Sequence, residues 1–174
     1  ALRLLALTGN DSTLVAAGRT RPLRGNHVSP WLVRLIMDLR LGLALPRPRS
    51  KPASTTAVAL LIDQLRRTTQ PITVVALGPL TNLAEAILAD PSLVKQIRMV
   101  YFMGGALHVP GNLAELNRRL TNRHAEWNVY IDPYAAAVVL QSGVPLTLVP
   151  LDLTNQYRLT EDFFQRSAAC RATP

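Results

Sequence analysis

Cysteine is almost absent from these 174 residues, and the single Cys170 can form neither an internal disulfide nor a site of several thiolates. That argues against a disulfide-stapled secreted scaffold and for a reducing compartment, with the cytoplasm as the default. Long apolar runs are missing too: Arg, Asp, Pro or Gly interrupts every hydrophobic stretch before the roughly 18 to 20 residues that a membrane helix needs. Leu4 to Leu7 is too short for a signal-peptide core. No Gly-x-Gly-x-x-Gly fingerprint and no Gly-rich phosphate loop with Lys occurs. Acidic residues are scarce, 11 against 19 basic ones, and the resulting net charge of +8 raises the question of nucleic acid. The basic residues fall into three short groups, Arg19/Arg21/Arg24, Arg47/Arg49/Lys51 and Arg118/Arg119/Arg123, in segments rich in Pro, Asn or Gly. Such dispersal fits solvated loops better than a nucleic-acid face.

What is present is a globular composition. With 48% hydrophobic residues and a mean hydropathy of +0.15, the chain can bury one sizeable core, and residues 1–174 are expected to form a single domain. Short apolar runs suited to buried strands recur at Leu4–Leu7, Ile72–Leu77, Ile97–Met103 and Leu146–Leu151. Between them lie segments of helical period, such as Val58, Leu61, Ile62 and Leu65, or Leu83, Ala86, Ile87 and Leu88. This alternation predicts an α/β fold, an open and mainly parallel sheet with helices on both faces. Asp132-Pro133 opens a further helix by side-chain cap and N-terminal proline, and Gly143 closes it. Residues 42–55, broken by prolines, are expected to be an extended loop.

In open parallel sheets ligands bind beyond the carboxyl ends of the strands. Small polar residues follow each expected strand: Thr8-Gly9-Asn10-Asp11, Gly78-Pro79-Leu80-Thr81-Asn82, Gly104-Gly105 and Asp152-Leu153-Thr154-Asn155. Any one of these reads as a turn or cap; four on one edge suggest a small polar ligand without naming it. His27, His108 and His124 share no ligand spacing and read as loop histidines.

More specific are Ala76-Leu77-Gly78-Pro79-Leu80-Thr81-Asn82-Leu83-Ala84, Phe102-Met103-Gly104-Gly105-Ala106, Gly111-Asn112 and Ala125-Glu126-Trp127-Asn128-Val129-Tyr130-Ile131-Asp132-Pro133. In this order and spacing they resemble the inosine-uridine nucleoside hydrolase family, over about Ile72 to Phe164. The resemblance implies a Rossmann-related α/β fold and hydrolysis of the N-glycosidic bond of ribonucleosides in purine and pyrimidine salvage, by a Ca²⁺-activated water and an oxocarbenium-like sugar. It implies that Asn112, Glu126 and Asn128 hold ribose hydroxyls, that Met103 packs near the sugar, that Asn10 is another active-site position, and that the Leu77 backbone carbonyl ligates Ca²⁺. A carboxylate with two amides suits vicinal hydroxyls, and a hard cation takes oxygen ligands. A homodimer or homotetramer is implied as well. By the same resemblance Asp152 has a structural part beside Thr154-Asn155, and Trp127 packs beside the ribose.

The family's N-terminal aspartate cluster, which supplies most calcium ligands and the general base, has no counterpart within the chain. It is expected before Ala1, and a further late Asp beyond Pro174. No catalytic residue is therefore assigned within the 174 residues, which are expected to be an incomplete domain and inactive alone. The alternative is a non-catalytic nucleoside-binding or scaffold remnant of the same fold.

Overall fold

In the computed structural model, residues 1–27, 47–116, 120–157 and 160–169 are described. Three expected strands form: β1 (Ile72–Ala76), β2 (Ile97–Met103) and β3 (Leu146–Val149), joined as one parallel sheet in the order β1-β2-β3. The register pairs Val74 with Val100 and Ala76 with Phe102, while Phe102 also pairs with Leu148 and Met103 with Val149. All three strands therefore end on one edge. β3 is shorter than expected because Pro150 has no N–H to continue the ladder, and Leu151 already begins a helix.

The expected first strand is corrected. Leu4–Leu7 is the end of α1 (Leu2–Leu7), none of whose residues is buried. A strand needs a neighbour to pair its N–H and C=O groups, whereas a helix pairs its own, and Leu, Arg and Ala carry high helix propensity with no β-branching. The Thr8 hydroxyl closes α1 on the carbonyls of Leu4 and Leu5, and Gly9 turns the chain with φ +72°. Thr8-Gly9-Asn10-Asp11 thus follows a helix instead of a strand.

The helical layer forms where the periodicity predicts it. Thr56 caps α2 (Ala57–Arg67) by accepting the Ala59 N–H, and α3 (Thr81–Ala89) buries Leu83, Ala84, Ala86 and Ile87. The remaining helices are a 3-10 helix (Pro91–Gln96), α4 (Leu113–Leu116), α5 (Trp127–Ile131), α6 (Pro133–Gln141), α7 (Leu151–Thr154) and α8 (Glu161–Ala169). α3 packs between α2 and α6, and these three close over the inner sheet residues Val100 and Phe102, each fully buried. The opposite side of the sheet carries Thr73, Val75, Tyr101 and Thr147 as exposed residues. Among the described residues, the core-forming helices cover one sheet face. Residues 47–55 of the expected loop contain no helix or strand; 42–46, Arg118, Arg119 and Cys170 lie outside the described residues.

Asp132 does more than open α6. Fully buried, it accepts the Ala135 N–H at 3.0 Å as a cap, the Leu23 N–H at 2.7 Å and the Thr81 hydroxyl at 2.8 Å. One carboxylate so fixes α6, the start of α3 and the segment around Leu23. Asp132→Ala leaves these donors without partners and is expected to cost about 3 kcal/mol, read as a lowered urea midpoint; a loss under about 1 kcal/mol would mean that water replaces the carboxylate.

Candidate active site

The sheet edge is built on glycines. After β2 the chain leaves through Gly104, where a Cβ would lie 2.3 Å from the Phe102 ring, and Gly105 at φ +83°. The Gly105 N–H is received by Glu126 at 3.0 Å across the fold. Glu126 is only 2% exposed, and its carboxylate also accepts the Asn128 N–H at 2.9 Å and the Val129 N–H at 3.1 Å, capping α5. Asn128, the second residue of that helix, donates its side-chain amide to the Met103 carbonyl at 2.9 Å and lies 3.4 Å from the Met103 sulfur.

Asn112 joins from the next loop. Its side-chain oxygen accepts the Trp127 N–H at 2.9 Å, so its NH₂ faces away from the peptide it holds. Gly111 makes this approach possible: its N–H meets the Arg123 carbonyl at 2.8 Å, and a Cβ there would sit 2.1 Å from the Ala125 carbonyl oxygen. Met103, Asn112, Glu126 and Asn128 therefore form one hydrogen-bonded group at the ends of β2 and α5. Leu77 follows Ala76, the partner of Phe102, so its carbonyl comes at the level of Met103; its side chain is 76% exposed. Asn10 is not brought into this group by any described bond, and its amide donates locally to the Thr8 carbonyl and hydroxyl.

The backbone partners fix which end of each amide is which. A peptide N–H can only be accepted by the oxygen of Asn112, and a peptide carbonyl can only be met by the nitrogen of Asn128. Among the described residues, the donor group of Asn112 and the side-chain oxygen of Asn128 have no partner. Glu126 keeps acceptor capacity as well, since three N–H groups occupy three of about four lone-pair sites.

The histidines lie in loops, as read from the sequence. His27 stacks on Tyr130 with ring centroids 4.2 Å apart and meets the Tyr130 carbonyl at 2.7 Å. Trp127 is tilted against Tyr130 at 6.4 Å and borders a cleft of about 300 Å³ with Arg21, His27 and Asn82. Two arginines of the first basic group have protein partners: Arg19 pairs with Glu85 at 3.0 Å, and Arg24 lies 3.9 Å above the Tyr134 ring.

Asp152 reaches across the sheet edge, accepting the Leu107 N–H at 2.8 Å and the His108 N–H at 2.7 Å. The Leu107 amide is the main cause that holds its pKa below the ordinary 3.8; burial opposes it, and the His108 amide adds to the lowering. Sequence reasoning gave this residue a structural part but not its partners, which lie 45 and 44 positions away.

A family model described as inosine-uridine preferring nucleoside hydrolase matches residues 1–173. The chain belongs to this family. It is 37% identical over 169 residues to the pyrimidine-specific ribonucleoside hydrolase RihA of Shewanella baltica, covering 97% of this chain and 50% of that protein. Among solved structures it resembles the purine-preferring ribonucleoside hydrolase of Gardnerella vaginalis, with TM-score 0.82 and 26% identity over 99% of this chain and 54% of that one. The inosine-uridine preferring nucleoside hydrolase of Bacillus anthracis gives TM-score 0.81 and 28% identity, over 98% and 56%. The chain thus spans about half the length of the relatives it matches.

Two outcomes follow from this geometry. Gly111→Ala pushes a methyl into a backbone oxygen that cannot turn aside, so a loss of about 2 kcal/mol with displacement of Asn112 is expected; unchanged stability would show that the loop shifts freely. Because the folded pKa of Asp152 is lowered, its hold on the Leu107 and His108 amides is fully present above 3.8 and is lost as pH falls through the folded value. Both amide resonances should move together in an NMR titration with a midpoint below 3.8, and a midpoint above it would contradict the assignment.

Proposed function

We propose that the chain is the ribose-holding portion of an N-ribosyl hydrolase that cuts ribonucleosides into base and ribose. The observation that supports this most is the pairing of opposite hydrogen-bonding ends around Met103: the NH₂ of Asn112 and the oxygen of Asn128, neither with a partner among the described residues, and the spare acceptor of Glu126. Two neighbouring ribose hydroxyls each donate and accept, so a donor beside two acceptors suits them, while the Met103 side chain offers the sugar's apolar face a contact. Family membership and the names of the relatives point the same way.

Glycosidic cleavage of this kind passes through a planar, positively charged sugar. Holding the hydroxyls while the ring flattens is the contribution these residues can make, and only bonds that strengthen in that state raise the rate. Calcium is implied by the family resemblance. A calcium site takes about six to eight oxygens, whereas Leu77 would offer one carbonyl. Among the described residues no group of three His, Cys, Asp or Glu is placed to hold a metal ion. These residues do not fit a calcium cage on their own, and no step is derived through the ion.

The relatives carry both pyrimidine-specific and purine-preferring names, and ribose is common to all their substrates. The proposal is therefore for ribonucleosides as a class. A role in nucleoside salvage, as a homodimer or homotetramer, belongs to the same reading and rests on the resemblance; the cytoplasm is added from the scarcity of cysteine. No helix among the described residues is long and apolar enough to cross a membrane.

The test is ribose release from inosine and uridine, with and without a calcium chelator, alongside ribose binding by Asn112→Ala and Asn128→Ala. Each substitution should weaken ribose binding by roughly tenfold, equivalent to about 1.4 kcal/mol, without altering the unfolding free energy from urea titration by more than about 1 kcal/mol. Wild-type affinity in both variants would sink the assignment. Binding without release is expected of a ribose-holding portion alone, whereas release that the chelator abolishes supports the hydrolase and weak binding indifferent to calcium favours the non-catalytic alternative.

A further inference from the structure

We propose that Asp152 is a positioning residue for the ribose site, holding the chain between β2 and α4 so that Asn112 stays on its partner Trp127 and beside Asn128. This rests on the reading of Asn112 and Asn128 as ribose-binding residues. After β2 the chain is fixed at Gly105, whose N–H goes to Glu126 and whose carbonyl accepts the Leu151 N–H at 2.9 Å. It is fixed again at Gly111, against Arg123 and Ala125. Between these points Leu107 is 63% exposed, and residues 107–111 wall a cavity of about 580 Å³. Packing does little to hold that span, and Pro110 has no N–H to contribute.

Asp152 supplies the missing tie. Its two oxygens take two successive peptide N–H groups, Leu107 at 2.8 Å and His108 at 2.7 Å. Two bonds to adjacent peptides fix direction as well as position. The carboxylate itself has a firm base, because Leu151 beside it is only 4% exposed and its N–H is bonded to Gly105. The end of β3 and the exit of β2 are thereby linked twice, by Leu151 to Gly105 and by Asp152 to residues 107 and 108. Four residues beyond His108 stands Asn112. A binding group on a loop must be held to within about 0.5 Å to be effective, and supporting bonds of this kind do that work.

The experiment compares the 174-residue chain with Asp152→Ala and Asp152→Asn by amide hydrogen exchange and by binding of free ribose. Asp152→Ala should speed exchange at Leu107 and His108, and by about tenfold also at Trp127, whose N–H is protected by Asn112 at a distance from the substitution. Ribose affinity should fall by about tenfold, with partial recovery in Asp152→Asn, which keeps one acceptor oxygen. The Val100 amide, bonded to the Pro145 carbonyl in the core, serves as the folding control and should not change. If that control fails in Asp152→Ala, Asp152→Asn decides alone, with a smaller rise at Trp127 expected. Faster exchange confined to Leu107 and His108, with Trp127 and ribose affinity as in the wild type, overturns the proposal. A wild-type chain that takes up no ribose, while Trp127 still responds to the loss of Asp152, supports the positioning of Asn112 and rejects the ribose reading instead.

Discussion

Two buried acids six positions apart, Glu126 and Asp132, set the architecture around the site. Each caps a helix, Glu126 starting α5 and Asp132 starting α6, so the five residues of α5 lie between two fixed points. A helix this short does not hold itself together in water, because nucleation costs more than one turn of hydrogen bonds returns. It persists here because its first N–H groups end on a carboxylate that is 2% exposed and the chain leaves it at one that is fully buried. Asn128 sits in the first turn of that pinned segment.

The same acids tie distant parts of the chain. Glu126 takes the Gly105 amide and so joins α5 to the exit of β2; Asp132 takes Leu23 and Thr81 and so joins α6 to α3 and to the N-terminal segment. Burying a carboxylate is costly unless it is fully hydrogen-bonded, and three donors on each meet that requirement. Loops on the sheet edge follow the same logic at the surface, where Asp152 gathers the Leu107 and His108 amides. Three acids thus fix the backbone around Met103, Asn112 and Asn128, leaving the amide ends of the two asparagines as the groups turned to other use.

Much of this was legible in the sequence because strand and helix periods are local properties. Ile72–Ala76 and Ile97–Met103 are apolar runs between turn residues, and Asp132-Pro133 is a start signal whose cap bond is present at 3.0 Å. Leu4–Leu7 misled for a physical reason: an apolar run of four residues has no period of its own, and the choice between strand and helix depends on whether a partner strand is beside it. With that strand went the placement of Asn10 on the sheet edge, which makes its bonds to Thr8 instead. The motif residues Met103, Asn112, Glu126 and Asn128 did come together, as the family resemblance required of residues 25 positions apart at most.

What no local pattern could give is the division of labour inside the motif. Glu126 looks in sequence like a binding carboxylate, yet three of its acceptor positions serve the backbone of Gly105, Asn128 and Val129. Its carboxylate is therefore held by three bonds, two on Oε2 and one on Oε1, and a hydroxyl reaching the remaining lone pair would meet Oε1, already tied to the Asn128 N–H. Such an oxygen cannot follow a moving ligand; it can only favour the one sugar geometry that reaches it. The Asn112 amide differs, since its loop is held by contacts spread from Gly105 to Gly111 and, among the described residues, its own tie is the Trp127 N–H. Of the groups proposed to face a ribose, Glu126 is the fixed reference and Asn112 the one whose accuracy depends on the loop, so disorder in that loop would blunt the donor side of the site before the acceptor side.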